Sequence, residues 1–247
     1  MIRRLGIACA LAALAGCAPT VRDPFGQALR QRRVPPSQAP DSLTAELDVT
    51  PRQKGAPPFS ARLYARPYRQ YRLDALGFAS ATVASYLWAD GRWTLLLHDR
   101  REAWGGSGDT LEWEESGIRL PGVHSLLGFL WGEPLPGFRD RDADSLSWSG
   151  DTLSWMTRGE RWRARFDSAN GLCLEARSSG LALLYRKHRR RDGRVVPGEV
   201  DVLSEGEPLL SLKVRWLDPH PAWKKDPFSL KIPAEYAPHG EFPRDAN

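Results

Sequence analysis

From Leu43 onward the apolar residues recur at every second position, in stretches too short for anything but strands. Leu43, Ala45, Leu47 and Val49 alternate with Thr44, Glu46 and Asp48, the pattern of a strand with one buried face. The same period returns in FSARLYAR, RQYRLDALG, SATVASYLWA and RWTLLLHD between residues 59 and 99. It resumes in DSLSWSG, DTLSWMTRG, RWRARFDS, LCLEARS, ALLYRKHR, EVDVLSEG and LLSLKVRWL between 144 and 217. Asp90-Gly91 and Asn170-Gly171 stand between such runs and signal hairpins, because Asn, Asp and Gly tolerate the positive φ of a tight turn. The expectation is a mainly β chain of about eleven short strands in an antiparallel meander, within one domain over residues 43–247. No internal repeat accompanies it.

One segment breaks the period. In RLPGVHSLLGFLWGEPLPGF, residues 119–138, Val123, Leu126, Leu127, Leu130 and Trp131 fall at i, i+3, i+4, i+7 and i+8, one face of a short helix. Pro121 suits its first turn, and Gly132 with Pro134 supplies the stop. The opposite face, Gly122, His124, Ser125, Gly128 and Phe129, is hardly polar, so the helix needs cover on most sides. A plug in a β-structure and a movable lid both satisfy that need.

The first residues resemble the precursor of a bacterial lipoprotein: Arg3 and Arg4, an apolar run from Leu5 to Ala15, then Leu14-Ala15-Gly16-Cys17. The resemblance implies a signal peptide over 1–16, palmitate-type acylation at Cys17, and attachment to a membrane rather than passage through it. Ala18, in place of Asp, points to the outer membrane and its periplasmic side. Residues 17–42, rich in Pro, Arg and Gln, read as the lipidated Cys and a flexible tether with a hint of helix over 26–33. Loss of the signal leaves Cys173 as the one unmodified thiol. A disulfide is then impossible within the chain, and Cys173 reads as a structural strand residue. The formal net charge of +5 is too mild to argue for nucleic acid. The dense basic run RKHRRRDGR, 186–194, reads as a solvated hairpin loop in preference to a contact with anionic lipid.

Taken in order, RLDALGFASATVASYL, RWTLLLHDRREAWGG, LPGVHSLLGFLWGEPLPG, RWRARFDSANGLCLEARS and LLSLKVRWL resemble the LolA/LolB superfamily of lipoprotein carriers and receptors. The chain looks like a LolB-like outer-membrane lipoprotein of that superfamily, over most of residues 43–232. The resemblance implies an incomplete antiparallel β-barrel with a short helical lid or plug and an apolar cavity for acyl chains. Candidate cavity residues are then Leu63, Leu73, Val83, Leu87, Trp93, Leu95 and Leu97 in the first half of the chain. In the second half they are Leu126, Leu130, Trp148, Trp155, Phe166, Leu172 and Leu174. Val123, Leu126, Leu127, Leu130 and Trp131 would form the lid. Leu76, with Phe78 beside it, matches the family's exposed membrane-delivery loop, although Ala75 stands where that loop carries Pro.

These readings imply a monomeric lipid-binding protein of the cell envelope. Its partners would be the acyl chains of a lipoprotein or lipid, the membrane reached through Cys17, and a periplasmic carrier protein. The alternative is a structural or assembly lipoprotein that uses the half-barrel as a protein-binding platform. No GxSxG, HExxH, paired Cys, P-loop or nucleophile–base constellation is present, so neither enzyme activity, a cofactor nor a metal is expected.

Overall fold

The computed structural model describes residues 21–31, 33, 37, 39–108, 111–113, 118–120, 126–142 and 145–240. Two antiparallel meanders build it. The first runs through β1 (Leu43–Pro51), β2 (Phe59–Arg66), β3 (Gln70–Leu76), β4 (Thr82–Ala89), β5 (Arg92–Leu97) and β6 (Glu102–Ser107). A separate hairpin, β7 (Leu111–Trp113) with β8 (Ile118–Leu120), follows. The second meander comprises β9 (Ser147–Ser149), β10 (Thr152–Thr157), β11 (Glu160–Phe166), β12 (Cys173–Arg177) and β13 (Leu181–Arg186). It continues, after the side hairpin β14 (Arg189–Arg191) and β15 (Arg194–Val196), through β16 (Glu199–Ser204) and β17 (Glu207–Asp218).

Two-residue turns fix the registers. Asp90-Gly91, Arg158-Gly159, Asp192-Gly193 and Glu205-Gly206 each hold both residues at positive φ, the twist that joins two antiparallel strands without splaying them. The two meanders meet where β1 pairs with β17, Thr44 opposite Asp218 and Pro51 opposite Leu210, with a bulge after Glu46. A final strand, β18 (Ala237–Gly240), adds to β6 in parallel. The result is a fourteen-stranded sheet, ordered β18-β6-β5-β4-β3-β2-β1-β17-β16-β13-β12-β11-β10-β9. Its edges β18 and β9 do not pair, so the barrel is incomplete, as expected, with more strands than the sequence suggests.

Antiparallel order gives the sheet two ends. At one lie the start of β1, the β2–β3 turn, the β11–β12 loop and the β14–β15 hairpin; at the other lie the β1–β2, β3–β4 and β16–β17 connections. Strand alternation likewise gives it two faces. The inner face carries Leu43, Ala45 and Leu47 of β1, Ala61 and Leu63 of β2, and Tyr71 of β3. From the other meander it carries Leu153, Trp155, Trp162, Phe166, Leu183, Val200 and Val202, all buried in the same core.

The helix expected over 121–132 is described only from Leu126. Two α-helical residues lead into a 3-10 helix at Gly128–Trp131, closed by Gly132 in the left-handed conformation at φ 82°. The chain doubles back so tightly that a Cβ on Gly128 would lie 2.5 Å from the Glu133 carbonyl oxygen, which favours a tight 3-10 turn over a continued α-helix. Residues 121–125, and with them Val123, lie outside the described residues.

The segment read as a tether, and the tail that follows β17, are integral to the fold. Helix α1 (Pro24–Arg30) lies within the expected tether, yet Phe25 and Leu29 are each 1% exposed and belong to the core. Asp23 caps it, its carboxylate accepting from the Phe25 N–H at 3.0 Å. Phe25, Leu29 and the proline at N1 make this one short amphipathic turn set, which the Arg- and Gln-rich surroundings mask in the sequence.

The tail crosses the outer face of β1–β5. The Trp223 indole donates to Thr44 Oγ1 at 2.9 Å, and Arg72 donates to the Pro227 carbonyl at 2.9 Å. Arg66 lies over the rings of Trp223 and Phe228. His98 joins Tyr236 Oη at 2.8 Å on one side of its ring and Ser85 Oγ at 3.1 Å on the other. The last described residues of the tail form β18.

Candidate ligand-binding face

The inner face divides into a filled floor and a half-open wall. Over the floor sits the segment from Leu126 to Phe138. Trp131 stacks on Tyr71 of β3 at 6.3 Å and meets Tyr68 edge-on at 5.6 Å. Phe129 tilts against Tyr185 of β13 at 6.4 Å, and Phe138 meets Trp155 of β10 edge-on at 5.8 Å. These rings tie both meanders together beneath one strap. Leu130 and Trp131 are fully buried, Leu127 nearly so, and Leu126 is half-buried against the core. The described part of the expected lid is therefore packed into the core.

A buried ion pair fastens it. Arg139 donates from Nε and Nη2 to the two carboxylate oxygens of Glu133 at 2.9 and 2.8 Å, a bidentate geometry. The Tyr68 hydroxyl donates to Glu133 Oε2 and itself accepts from the Trp131 indole at 3.1 Å; Ser37 donates to Oε1 at 2.9 Å. Burial, reinforced by the neighbouring carboxylate, pushes the Tyr68 phenol up to about 12. The strap is thus locked to the β2–β3 turn and to residue 37. Pro134 and Pro136 add carbonyls that accept from Tyr185 and Trp155 at 2.8 and 3.2 Å.

The wall is formed by β4, β5 and β6. Register places Tyr86, Leu95 and Trp104 in one row, and Trp88 with Trp93 in the next, all on the inner face. Trp88, Trp93, Leu95 and Trp104 are only half-buried, whereas Tyr86 is buried and its phenol held well above the usual range by desolvation. Trp93 lies flat across Gly106, where a Cβ would fall 2.5 Å from its ring. Trp104 stacks on His239 of β18 at 4.4 Å. This is a continuous aromatic and aliphatic surface with few polar groups, the lining that suits an apolar ligand.

The candidate residues separate accordingly. Leu63, Leu130, Trp155 and Phe166 are in the filled core, with Leu73 and Trp148 packed against it. Trp93, Leu95 and Leu97 face the wall. Val83 and Leu87 do not face inward: Ala84, Tyr86 and Trp88 take that phase, which turns Leu87 toward Arg72 and Thr94 and leaves Val83 38% exposed. Leu172 and Leu174 are displaced by a bulge opposite Arg165 and Phe166, which points Cys173 inward beside Phe166. Burial raises the Cys173 thiol well above its ordinary value, consistent with a packing role. Tyr86, Trp88 and Trp104 were missed: Tyr86 and Trp88 lie at odd spacing from Val83 and Leu87, and only cross-strand register sets Tyr86 and Trp104 beside Leu95 and Trp88 beside Trp93.

The β3–β4 loop carries Phe78 at 96% exposure, while Leu76 is half-buried at the strand end. Ala79 and Ser80 both have positive φ, a strained tip for non-glycine residues. Beside it on the outer face is a polar recess of about 140 Å³ lined by residues including Glu46, Ser60, Arg62 and Arg215, below the size of ordinary ligand sites.

No family model matches the chain, and no curated protein matches it. Solved structures do. A DUF1329 family protein from Desulfovibrio piger is similar at 11% identity with a TM-score of 0.54, covering 78% of this chain and 89% of that one. A LolA superfamily protein from Nitrosomonas europaea is similar at 10% identity and TM-score 0.44, over 73% of this chain and 86% of that one. A candidate outer membrane lipoprotein-sorting protein domain from Vibrio parahaemolyticus shares 8% identity at TM-score 0.47, over 72% and 84%. The open, antiparallel-dominated sheet is thus similar in fold to the Desulfovibrio protein.

Proposed function

We propose that this protein is a lipid-anchored, non-enzymatic envelope protein that holds an acyl chain against the β4–β6 wall and passes it to the outer membrane. The observation that carries this reading is the half-open row of Trp88, Trp93, Leu95 and Trp104. Burial of a chain there is favourable by about 0.8 kcal/mol per CH₂, and an open-sided site permits release. Phe78, rather than Leu76, is the side chain free to enter a bilayer during delivery. The cargo is a lipoprotein or a free lipid, received from a periplasmic carrier.

A second reading, the protein-binding platform, is favoured by the strap: with Trp131 packed on Tyr68 and Tyr71, Phe129 on Tyr185 and Leu130 in the core, much of the interior is filled. Binding of a fluorescent fatty acid and of a diacylated peptide separates the two. The protein should bind both, and Leu95→Glu, at a half-buried position, should weaken binding at least tenfold with the fold intact by circular dichroism. Undetectable binding by the unsubstituted protein would sink the carrier reading. Leu130→Glu is unsuited to the test, because Leu130 is in the core and a buried charge there would unfold the chain.

A further inference from the structure

We infer that the basic end of the sheet around β14 is a docking surface for an anionic phospholipid bilayer, and that it sets how the domain stands on its own membrane. The chain reaches the fold at this end. The Arg22 carbonyl accepts from Arg190 Nη2 at 3.4 Å, and the Asp23 N–H donates to the Asn170 carbonyl at 2.9 Å. Arg30, one helix length on, donates to the carbonyls of Asp167 and Ser168. Arg22 therefore meets the β11–β12 loop and the β14–β15 hairpin at one corner. The five residues from Cys17 to Arg22 span at most about 18 Å of extended chain. A membrane-attached residue 17 holds that corner close to the headgroups, within reach of their potential.

The charge there fits. Arg22, Arg30, Arg189 and Arg190 are exposed and Arg191 is half-buried. Several carboxylates of the same end are engaged or withdrawn: Asp192 pairs with Arg194 at 3.5 Å and meets His220 at 3.4 Å, Glu199 pairs with Lys187 at 2.6 Å, and Asp23 is 3% exposed. Asp167 and Asp218 accept from the Ala169 and His220 N–H groups, and Asp41, before β1, is exposed. Among the described residues none of Arg22, Arg189, Arg190 and Arg191 makes an ion pair. Guanidinium groups so presented suit bidentate contact with phosphate oxygens, and clustered arginines near an anchor add to membrane attraction. The β3–β4 loop leaves the opposite end of the strands, so docking by this corner holds Phe78 roughly 25 Å away, the length of an eight-residue strand. Delivery through Phe78 then requires the corner to let go.

This inference rests on the membrane-attached N-terminus but not on acyl binding. Full-length protein is reconstituted into vesicles of phosphatidylcholine, alone or with phosphatidylglycerol, and amide hydrogen exchange is followed. Residues 186–194 should exchange several-fold more slowly on the anionic vesicles than on the neutral ones. High salt, or the triple substitution R189Q/R190Q/R191Q, should remove the difference; R161Q/R163Q, on another part of the sheet, should leave it. Equal exchange on both vesicles, or equal protection by soluble polyglutamate without vesicles, would overturn the assignment. Failure of the protein to sediment with neutral vesicles would remove the anchor and the inference with it. Loss of fatty-acid binding with the protection intact would instead count against the carrier reading alone.

Discussion

Asp23 sits at the junction of tether and domain, capping α1 while buried beneath the β11–β12 loop. Desolvation raises its carboxyl from 3.8 to about 7, against the opposing backbone hydrogen bonds from Phe25 and Gly26. Because the folded value lies above the unfolded one, the unfolded chain binds fewer protons between those values. Stability is therefore full below about pH 4 and declines as pH rises toward 7. Asp23→Asn keeps a capping oxygen and removes the titration. It should leave the denaturation midpoint unchanged near pH 4 and raise stability by on the order of 2–4 kcal/mol at pH 8; equal urea curves at pH 8 would contradict this. Other positions were illegible locally. In SATVASYLWA both phases are apolar, Val83 and Leu87 against Ala84, Tyr86 and Trp88, because the tail covers the outer face here and buries Leu96 and Ala103 on it. Nothing within ten residues reveals that cover. Leu172 and Leu174 misled for another reason: one bulge inverts the phase of a strand.

Among the elements, the strap depends on its fastening. Glu133 is 4% exposed and Arg139 half-buried, so removing one partner strands a buried charge. Glu133→Gln should lower unfolding free energy by about 3–5 kcal/mol, while Glu133→Gln with Arg139→Met should recover part of it; both are read from urea denaturation. A loss under 1 kcal/mol for the single change would show the clamp to be dispensable. The strands themselves were legible, since alternation and two-residue turns are local signals. So was the existence of a turn of helix ending at Gly132. Its burial was not, because Tyr68 and Tyr71 lie far from Trp131, and Tyr185 far from Phe129, in sequence, and only the folded sheet brings them together.

For the whole molecule, the tail acts as an outer layer and an edge cover. Truncation after Asp218 removes Trp223, Phe228, Tyr236 and β18, which uncovers the outer face and the open edge of β6. The truncated chain should lose on the order of 3–5 kcal/mol and self-associate through the bare edge, as seen by thermal melting and sedimentation. A monomer with an unchanged melting temperature would show the tail to be an ornament. Its Pro-rich composition hid this role, because only four of its described residues form a strand.

The pairing of β1 with β17 has a consequence in time rather than in space. Thr44 waits for Asp218 and Val49 for Leu212, so the two halves of the sheet join only after most of the chain has been synthesised. A growing chain cannot lock its first strand into its final place midway, and contacts of such long sequence separation form slowly. Whatever the first meander forms early, the continuous sheet closes across its middle only once the residues after 206 are available.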